Sequence, residues 1–275
     1  MKKCQVIFSG GLGNQMFEYA FLLSLKKRGI DARLNTCMYR YQKMHSGFDL
    51  TKVFGVKSDP YLSNSFVGTN VIRALVKYLP KAFVYKDPGI GYYPEVYDTS
   101  KPFLYGCWID EGYFKEYEKT IREVFVFRDI DDENYVIANE MKEREAVSLH
   151  IRRGDYLLYP RYCVCDEHWY EAAIKNIQET VKDPFFYVFS DDVVWCEQFL
   201  KGKELPFRII SHNSGKNSYQ DMYLMTQCKH NIIANSTFSW WGAWLNSNPD
   251  KVVVCPKIWL NGIEQNPCLN DWVHI

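Results

Sequence analysis

At 275 residues, with 33 Lys+Arg against 33 Asp+Glu, the chain carries no net charge and so no field to draw in nucleic acid. The length suits one large or two modest domains with ample buried core. No window approaches the ~18 consecutive apolar residues of a membrane span, peripheral membrane contact stays compatible with the composition, and nine irregularly spaced Cys read as the reduced thiols of a cytoplasmic protein. Twenty Tyr and eight Trp suit carbohydrate or planar-ligand surfaces, although core packing is their commoner use.

Lys2 and Lys3 precede only a short apolar run, which a glycine-rich turn ends at once, so no signal peptide is visible. Residues 4–8, CQVIF, read as a strand and SGGLGNQ as a turn. MFEYAFLLSLKKRG reads as a helix ending at Gly29, with Lys26, Lys27 and Arg28 in its last turn. Strand, glycine turn and helix is a layout that brings backbone N–H groups and a helix N-terminus to an anion. Gly10-Gly11-Leu12-Gly13 matches neither the P-loop nor the dinucleotide spacing, and tight βα packing explains these glycines equally well. A Tyr-rich irregular stretch (Tyr78, Tyr85, Tyr92, Tyr93, Tyr97) and the segment Tyr105-Gly106-Cys107-Trp108 come next. EGYFKEYEKTIREVF, residues 111–125, then reads as one helix. DIDDEN, residues 129–134, reads as a linker that divides the chain into 1–130 and 131–275.

The second half alternates. Strands are expected at 146–151, 185–190, 207–211, 231–234 and 251–255, and helices at about 167–182, 193–201, 218–229 and 240–246. That rhythm implies a parallel, doubly wound α/β sheet. In SLHIRRGDY, Arg152 and Arg153 fall where a buried strand opens into a loop, which is where open α/β sheets bind ligands. Two guanidiniums there suit a di-anion, since their planar forks match phosphate oxygens; an ion pair with Asp155 is the bland alternative. Asp191 and Asp192 end the strand FFYVFS, placed either to accept from a nucleoside or to cap the next helix. Asp221 is a further cap or base-contact candidate.

In NIIANSTFSWWGAWLN, the polar groups of Asn235, Ser236, Thr237 and Ser239 stand at a strand-to-helix turn, while Trp240, Trp241 and Trp244 suit core packing. The sequon at Asn235 and the tripeptide Arg153-Gly154-Asp155 are discounted, because each lies in a ligand-type loop. Cys163 and Cys165 lack a second pair or a His cluster to complete a zinc site. No Asp-x-Asp stands at a strand end, Asp129-Ile-Asp131 being in the linker, so charge on a leaving diphosphate falls to arginine and backbone donors.

GGLGNQMFEYA, LHIRRGDY, FYVFSDD and DMYLMTQCKHNIIANSTFSWWGAWLN resemble, in order, the motifs of glycosyltransferase family 11, the α-1,2-fucosyltransferases. The resemblance implies a GT-B architecture, two Rossmann-like α/β domains facing across a cleft. The N-terminal one would take the acceptor and the C-terminal one GDP-fucose. It also implies a galactose-terminated glycan acceptor, free or lipid-linked, inversion at the anomeric carbon, and no metal or other cofactor. By the same resemblance Arg152 lies on the donor diphosphate, flanked by His150, Arg153 and Asp155. Asn14, with Gly11 and Gly13, lies near the reacting sugar. Asp191 and Asp192 serve the nucleoside, and Ser236, Thr237, Phe238 and Ser239 bind phosphate. Arg152, Asn14 and Asp155 are the catalytic candidates, although Asp155 beside two arginines is a weak base. Gly106-Cys107-Trp108 and Ile109-Asp110-Glu111 depart from the family pattern on the acceptor side. The absence of a long stem fits a bacterial enzyme. The rivals are a fucosyltransferase of another linkage and a non-catalytic nucleotide-sugar or glycan binder on the same fold.

Overall fold

The computed structural model describes residues 2–40, 47–57, 70–71, 74, 78 and 80–275. Contacts divide the chain into two units, Met1–Arg128 and Asp129–Ile275. Both are α/β units built on a wholly parallel sheet.

In unit 1, β1 (Lys3–Ile7), α1 (Leu12–Lys27), β2 (Asp31–Asn35), α2 (Leu50–Phe54), β3 (Val84–Lys86), β4 (Phe103–Tyr105) and α3 (Glu118–Val124) follow in chain order. The sheet runs β2-β1-β4-β3, with Val6 opposite both Leu34 and Leu104. Helix α1 buries Met16, Phe17, Ala20, Phe21 and Leu25, the apolar stripe expected at helical spacing. It begins four residues before the expected Met16, so Gly13 and Asn14 lie in its first turn instead of the loop. Gly29 beyond its C-terminus has φ +79°, a left-handed conformation that glycine adopts without strain.

The single helix expected over 111–125 does not form. Two short 3-10 turns, Glu111–Tyr113 and Lys115–Tyr117, precede α3. Tyr113 and Phe114 both turn into the core, and Phe114 leaves helical geometry at φ −141°. Tyr113 there meets Phe21 edge-on at 5.2 Å, and Phe21 stacks on Trp108 at 4.2 Å.

In unit 2, α4 (Asp132–Lys142), β5 (Glu145–Ile151), α5 (Glu167–Thr180), β6 (Pro184–Ser190), α6 (Val193–Leu200), β7 (Phe207–Ile210), α7 (Tyr219–Gln227), β8 (His230–Ile232), α8 (Thr237–Leu245), β9 (Val253–Cys255) and β10 (Val273–His274) follow. Their order is β10-β9-β8-β5-β6-β7. Val147, Leu149, Ile151, Phe186 and Val188 pack with Tyr170, Ile174 and Ile177 of α5 and Cys196 and Leu200 of α6. Ala146, Tyr187 and Phe189 pack with Ile137 and Met141 of α4 and Leu224 and Met225 of α7. Both faces of the sheet are therefore covered, which is why its strands read as nearly unbroken apolar runs. Trp240, Trp241 and Trp244 are core residues.

The expected linker over 129–134 is shorter than that. Asp131 already caps α4 by accepting from the Asn134 N–H at 2.9 Å. Asn134 is fully buried, and its side chain donates to Asp131, Asn213 and Gln220 at 2.8, 2.9 and 3.1 Å. Asn213 in turn donates to Asp221 at 2.8 Å. Burial pushes the Asp221 carboxyl up to about 7. A carboxyl raised in the folded state contributes stability that is complete below its unfolded pKa and is lost as pH climbs to about 7. Asp221→Asn keeps an acceptor for Asn213 and removes that loss. The variant should gain about 2–4 kcal/mol over wild type at pH 8 and less at pH 5, read by urea denaturation at the two pH values. An equal gain at both would contradict the raised carboxyl.

Candidate functional site

The sheet of unit 2 reverses its strand order at one place. From β5 the chain builds outward through β6 to β7, then returns to lay β8, β9 and β10 on the other side of β5. Loops leaving the C-terminal ends of β5 and β8 therefore part, and such a parting is where doubly wound sheets take ligands. Leu149 stands opposite Ile232 of β8 and Ile151 opposite Ser190 of β6. This register sets Arg152, one residue past β5, beside Asp191, one residue past β6.

The two arginines separate. Arg152 sends one guanidinium nitrogen to Asp155 and the other to Asp191, the latter at 2.7 Å, and its guanidinium lies 5.1 Å from the Tyr156 ring centroid. Arg153 turns onto Trp195 at 4.2 Å and pairs with Asp192 at 3.1 Å, while its backbone N–H donates to Asp191 at 2.9 Å. Trp195 rests on Phe199, ring to ring, at 4.7 Å. Asp192 also accepts from the Trp195 N–H at 3.1 Å, so it is the cap of α6. Asp191 is not a cap; both of its oxygens hold the arginine segment. Gly154 is needed between them, since a Cβ there would fall 2.5 Å from an Asp191 oxygen.

Helix α8 begins at Thr237, earlier than the expected 240, so Thr237, Phe238 and Ser239 form its first turn. Ser236 caps it by accepting from the Phe238 N–H at 3.3 Å. The first turn of a helix carries N–H groups with no intrahelical acceptor and a partial positive charge, which suits an anion. Ser239 Oγ lies 2.8 Å from His150 Nδ1 on β5, and it also reaches the Ser236 carbonyl at 3.4 Å. Burial, with Arg152 adding to it, pushes the His150 pKa down to about 3. The ring is therefore neutral and fixed by Ser239. Asn235 is buried and donates to the carbonyls of Tyr162 and Trp259 at 3.1 and 3.0 Å, so its amide is not open to glycosylation.

In unit 1 the turn after β1 is tightly held. Gly10 has φ +80°, and a Cβ on it would sit 2.6 Å from Asn14 Nδ2. Gly11 is the N-cap of α1 and supplies no side-chain cap. Gln15 Nε2 donates to the Gly10 carbonyl at 3.1 Å and to the Gly47 carbonyl at 2.8 Å. Tyr39 OH donates to the same Gly10 carbonyl at 3.1 Å. The fully buried Glu18 accepts from the Ser9 N–H at 2.9 Å, and burial raises its pKa well above the ordinary range. Asp110, on the segment that departs from the family pattern, accepts from the Gly112 N–H at 2.7 Å.

Sequence reasoning passed over Gln15, Glu18, Tyr39, Tyr156 and Trp195. For Glu18 a signal existed, an acid between Phe17 and Tyr19 on an otherwise apolar helix face. Among the described residues no group of three or more His, Cys, Asp or Glu is arranged to hold a metal, and no helix is long and apolar enough to cross a membrane.

A family model described as Glycosyl transferase family 11 matches residues 92–275. The chain is 31% identical to an Escherichia coli alpha-1,2-colitosyltransferase, over 97% of this chain and 97% of that protein. It is 30% identical to the O-antigen biosynthesis glycosyltransferase WbnK of Escherichia coli, over 97% of this chain and 98% of that protein. Against the Homo sapiens galactoside alpha-(1,2)-fucosyltransferase 1 the identity is 26%, over 86% of this chain and 64% of that protein.

The depressed His150 pKa has a direct readout. In a ¹H–¹⁵N spectrum selective for imidazoles, His150 should keep neutral-ring shifts from pH 8 down to pH 4.5. A His150 midpoint above pH 5 would contradict the burial described.

Proposed function

Because the chain belongs to glycosyltransferase family 11, we propose that it is an inverting, metal-independent α-1,2-fucosyltransferase. It moves L-fucose from GDP-β-L-fucose to the 2-hydroxyl of a galactose in a glycan acceptor. The observation that carries this reading is the gathering of Arg152, the His150–Ser239 pair and the N-terminus of α8 at the switch point of the unit 2 sheet. The linkage and acceptor are supported by the names of the relatives, which carry α-1,2 transfer and, in the human protein, a galactoside. A surface glycan precursor, free or lipid-linked, is the acceptor class we favour, given that WbnK is named for O-antigen biosynthesis.

The acceptor oxygen bonds to the anomeric carbon as the bond to the β-phosphate oxygen breaks, and negative charge grows on the departing GDP. Arg152 retains N–H donors beyond the two that hold Asp155 and Asp191. These donors, with Thr237, Ser239 and the first-turn N–H groups of α8, meet that charge. Asp155 holds Arg152 and takes no proton; the acceptor proton passes to the leaving diphosphate. Asp191, Asp192, Arg153, Ser236 and Phe238 are assigned to the nucleotide. Gly11, Gly13 and Asn14 are assigned to the end of the donor that carries the reacting sugar. Metal independence is supported by the state of the three carboxylates nearest the site, each paired to an arginine.

A colitosyl donor is the second reading, favoured by the 31% identical relative. Incubation of the protein with GDP-fucose, or with the corresponding colitosyl donor, and a panel of galactosides decides between them, with the product linkage read by NMR. No transfer from either donor to any acceptor would leave a non-catalytic binder.

Two expectations follow for the active protein. Arg152→Ala should lower turnover roughly 10²–10³-fold, the cost of one lost transition-state donor. Arg152→Lys should also be poor, because a point charge cannot replace a two-pronged contact. Wild-type turnover in the Lys variant would remove the two-pronged claim. Exhaustive chelation with EDTA should leave the rate unchanged, and loss of activity with rescue by Mg²⁺ or Mn²⁺ would refute metal independence.

A further inference from the structure

The loop after Arg153 contains a residue that touches both halves of the anion site. Tyr156 lies three residues past Arg153, in the short 3-10 turn Gly154–Leu158. Its ring faces the Arg152 guanidinium at 5.1 Å. It also packs against Tyr162 in a tilted arrangement, ring centroids 4.9 Å apart. Its hydroxyl donates to the Asn235 carbonyl at 3.2 Å and also meets the Ser236 side chain. Asn235 and Ser236 are the two residues that lead into α8, and Ser236 is its cap. Asn235 is fastened from below by the Tyr162 carbonyl, so the Tyr156–Tyr162 pair and the residues before α8 form one closed circuit.

From this arrangement we propose that Tyr156 is a positioning residue, which sets Arg152 and the N-terminus of α8 in fixed register so that both address the same diphosphate. Two physical facts support it. A cation over an aromatic face is restrained in height and tilt, so the Tyr156 ring limits where the Arg152 donors point. Burial pushes the Tyr156 phenol up to about 12, so its proton stays in place to hold Asn235 across the working pH range. Asp155 and Asp191 restrain the guanidinium in its plane, whereas Tyr156 restrains it from the side. Tyr156 need not touch the substrate for this role.

The inference rests on the reading of this site as a nucleotide-diphosphate site, and the test separates the two. GDP is titrated calorimetrically into wild type, Tyr156→Phe, Tyr156→Leu, Arg152→Ala and the two double variants. Tyr156→Leu, losing ring and hydroxyl, should weaken GDP about tenfold, within the range of a desolvated cation–aromatic contact. Tyr156→Phe keeps the ring and should lose only about threefold; it also guards against failure of the Leu variant to fold. Placed on Arg152→Ala, Tyr156→Leu should cost no more than Tyr156→Phe, about threefold, because the ring then has no guanidinium to position and only the hydroxyl contact with the residues before α8 is left to lose. For a merely structural tyrosine the Leu variant would cost about tenfold in both backgrounds, and that result overturns the proposal. If wild type binds GDP and Tyr156→Leu binds it equally well, the positioning role alone falls. If wild type binds no GDP, the site reading falls and takes the inference with it.

Discussion

The arrangement of unit 2 turns on how the positive charge of Arg152 is held. A guanidinium at the end of a buried strand must be desolvated on one side and aimed on the other. Asp155 and Asp191 take one nitrogen each, and the Tyr156 ring covers a face. With Arg153 and Asp192 included, the cluster has two cations against three anions, so it offers a ligand no net positive charge. Any attraction for an anion then depends on direction. Arg152 keeps N–H groups beyond its two carboxylate pairs, the α8 terminus carries first-turn donors, and neutral His150 adds a fixed group without adding charge. Directional donors fixed in advance favour charge that develops during a reaction more than they favour anions at large.

That directionality comes from the sheet. Parallel strands bring their C-terminal ends to one edge, and the pairing of Ile151 with Ser190 levels Arg152 with Asp191. A slip of one residue would bring Ser148 and His150 into the apolar core that α5 and α6 cover in place of Leu149 and Ile151, so the register has a large polar-burial penalty against error. Gly154 completes the fit, because only a residue without Cβ leaves the Asp191 carboxylate room to approach the arginine segment. Core packing and site geometry are thus set by the same register.

The strands of unit 2 were legible because both of their faces are covered, so each is an apolar run between polar loops. Helix starts were less so. Gly13-Asn14, and Thr237 and Ser239, are residue types common in turns, yet each set belongs to a first helical turn, one begun by a glycine cap and one by Ser236. The helix expected over 111–125 failed for a different reason. Its local propensity was sound, but the tertiary demand to bury Tyr113 and Phe114 overrode it. In the site, Arg152, Arg153, Asp155, Asp191 and Asp192 could be named from position, whereas their pairing could not. Asp191 and Arg152 are far apart in sequence, and only the β5–β6 register joins them. Tyr156 and Trp195 were invisible as arginine platforms, since a lone aromatic in a loop or helix carries no periodic signal.

Unit 1 meets a related constraint with different groups. Its glycine turn is held at its backbone groups by neighbouring side chains. The Gly10 carbonyl takes donors from Gln15 and Tyr39, and the Ser9 N–H is given to Glu18. Burying a carboxylate is costly unless it is hydrogen-bonded or protonated. Glu18 is hydrogen-bonded, accepting from the Ser9 N–H, and burial raises its pKa well above the ordinary range. Such a cost is retained where the geometry it fixes matters. Here it fixes Ser9 and Gly10 immediately before the N-terminus of α1, where the first-turn N–H groups emerge. Each unit therefore places a glycine-bearing turn at the C-terminal edge of a parallel sheet and uses neighbouring side chains to remove that glycine's freedom, through backbone carbonyl and amide contacts in unit 1 and through carboxylate–arginine pairs in unit 2.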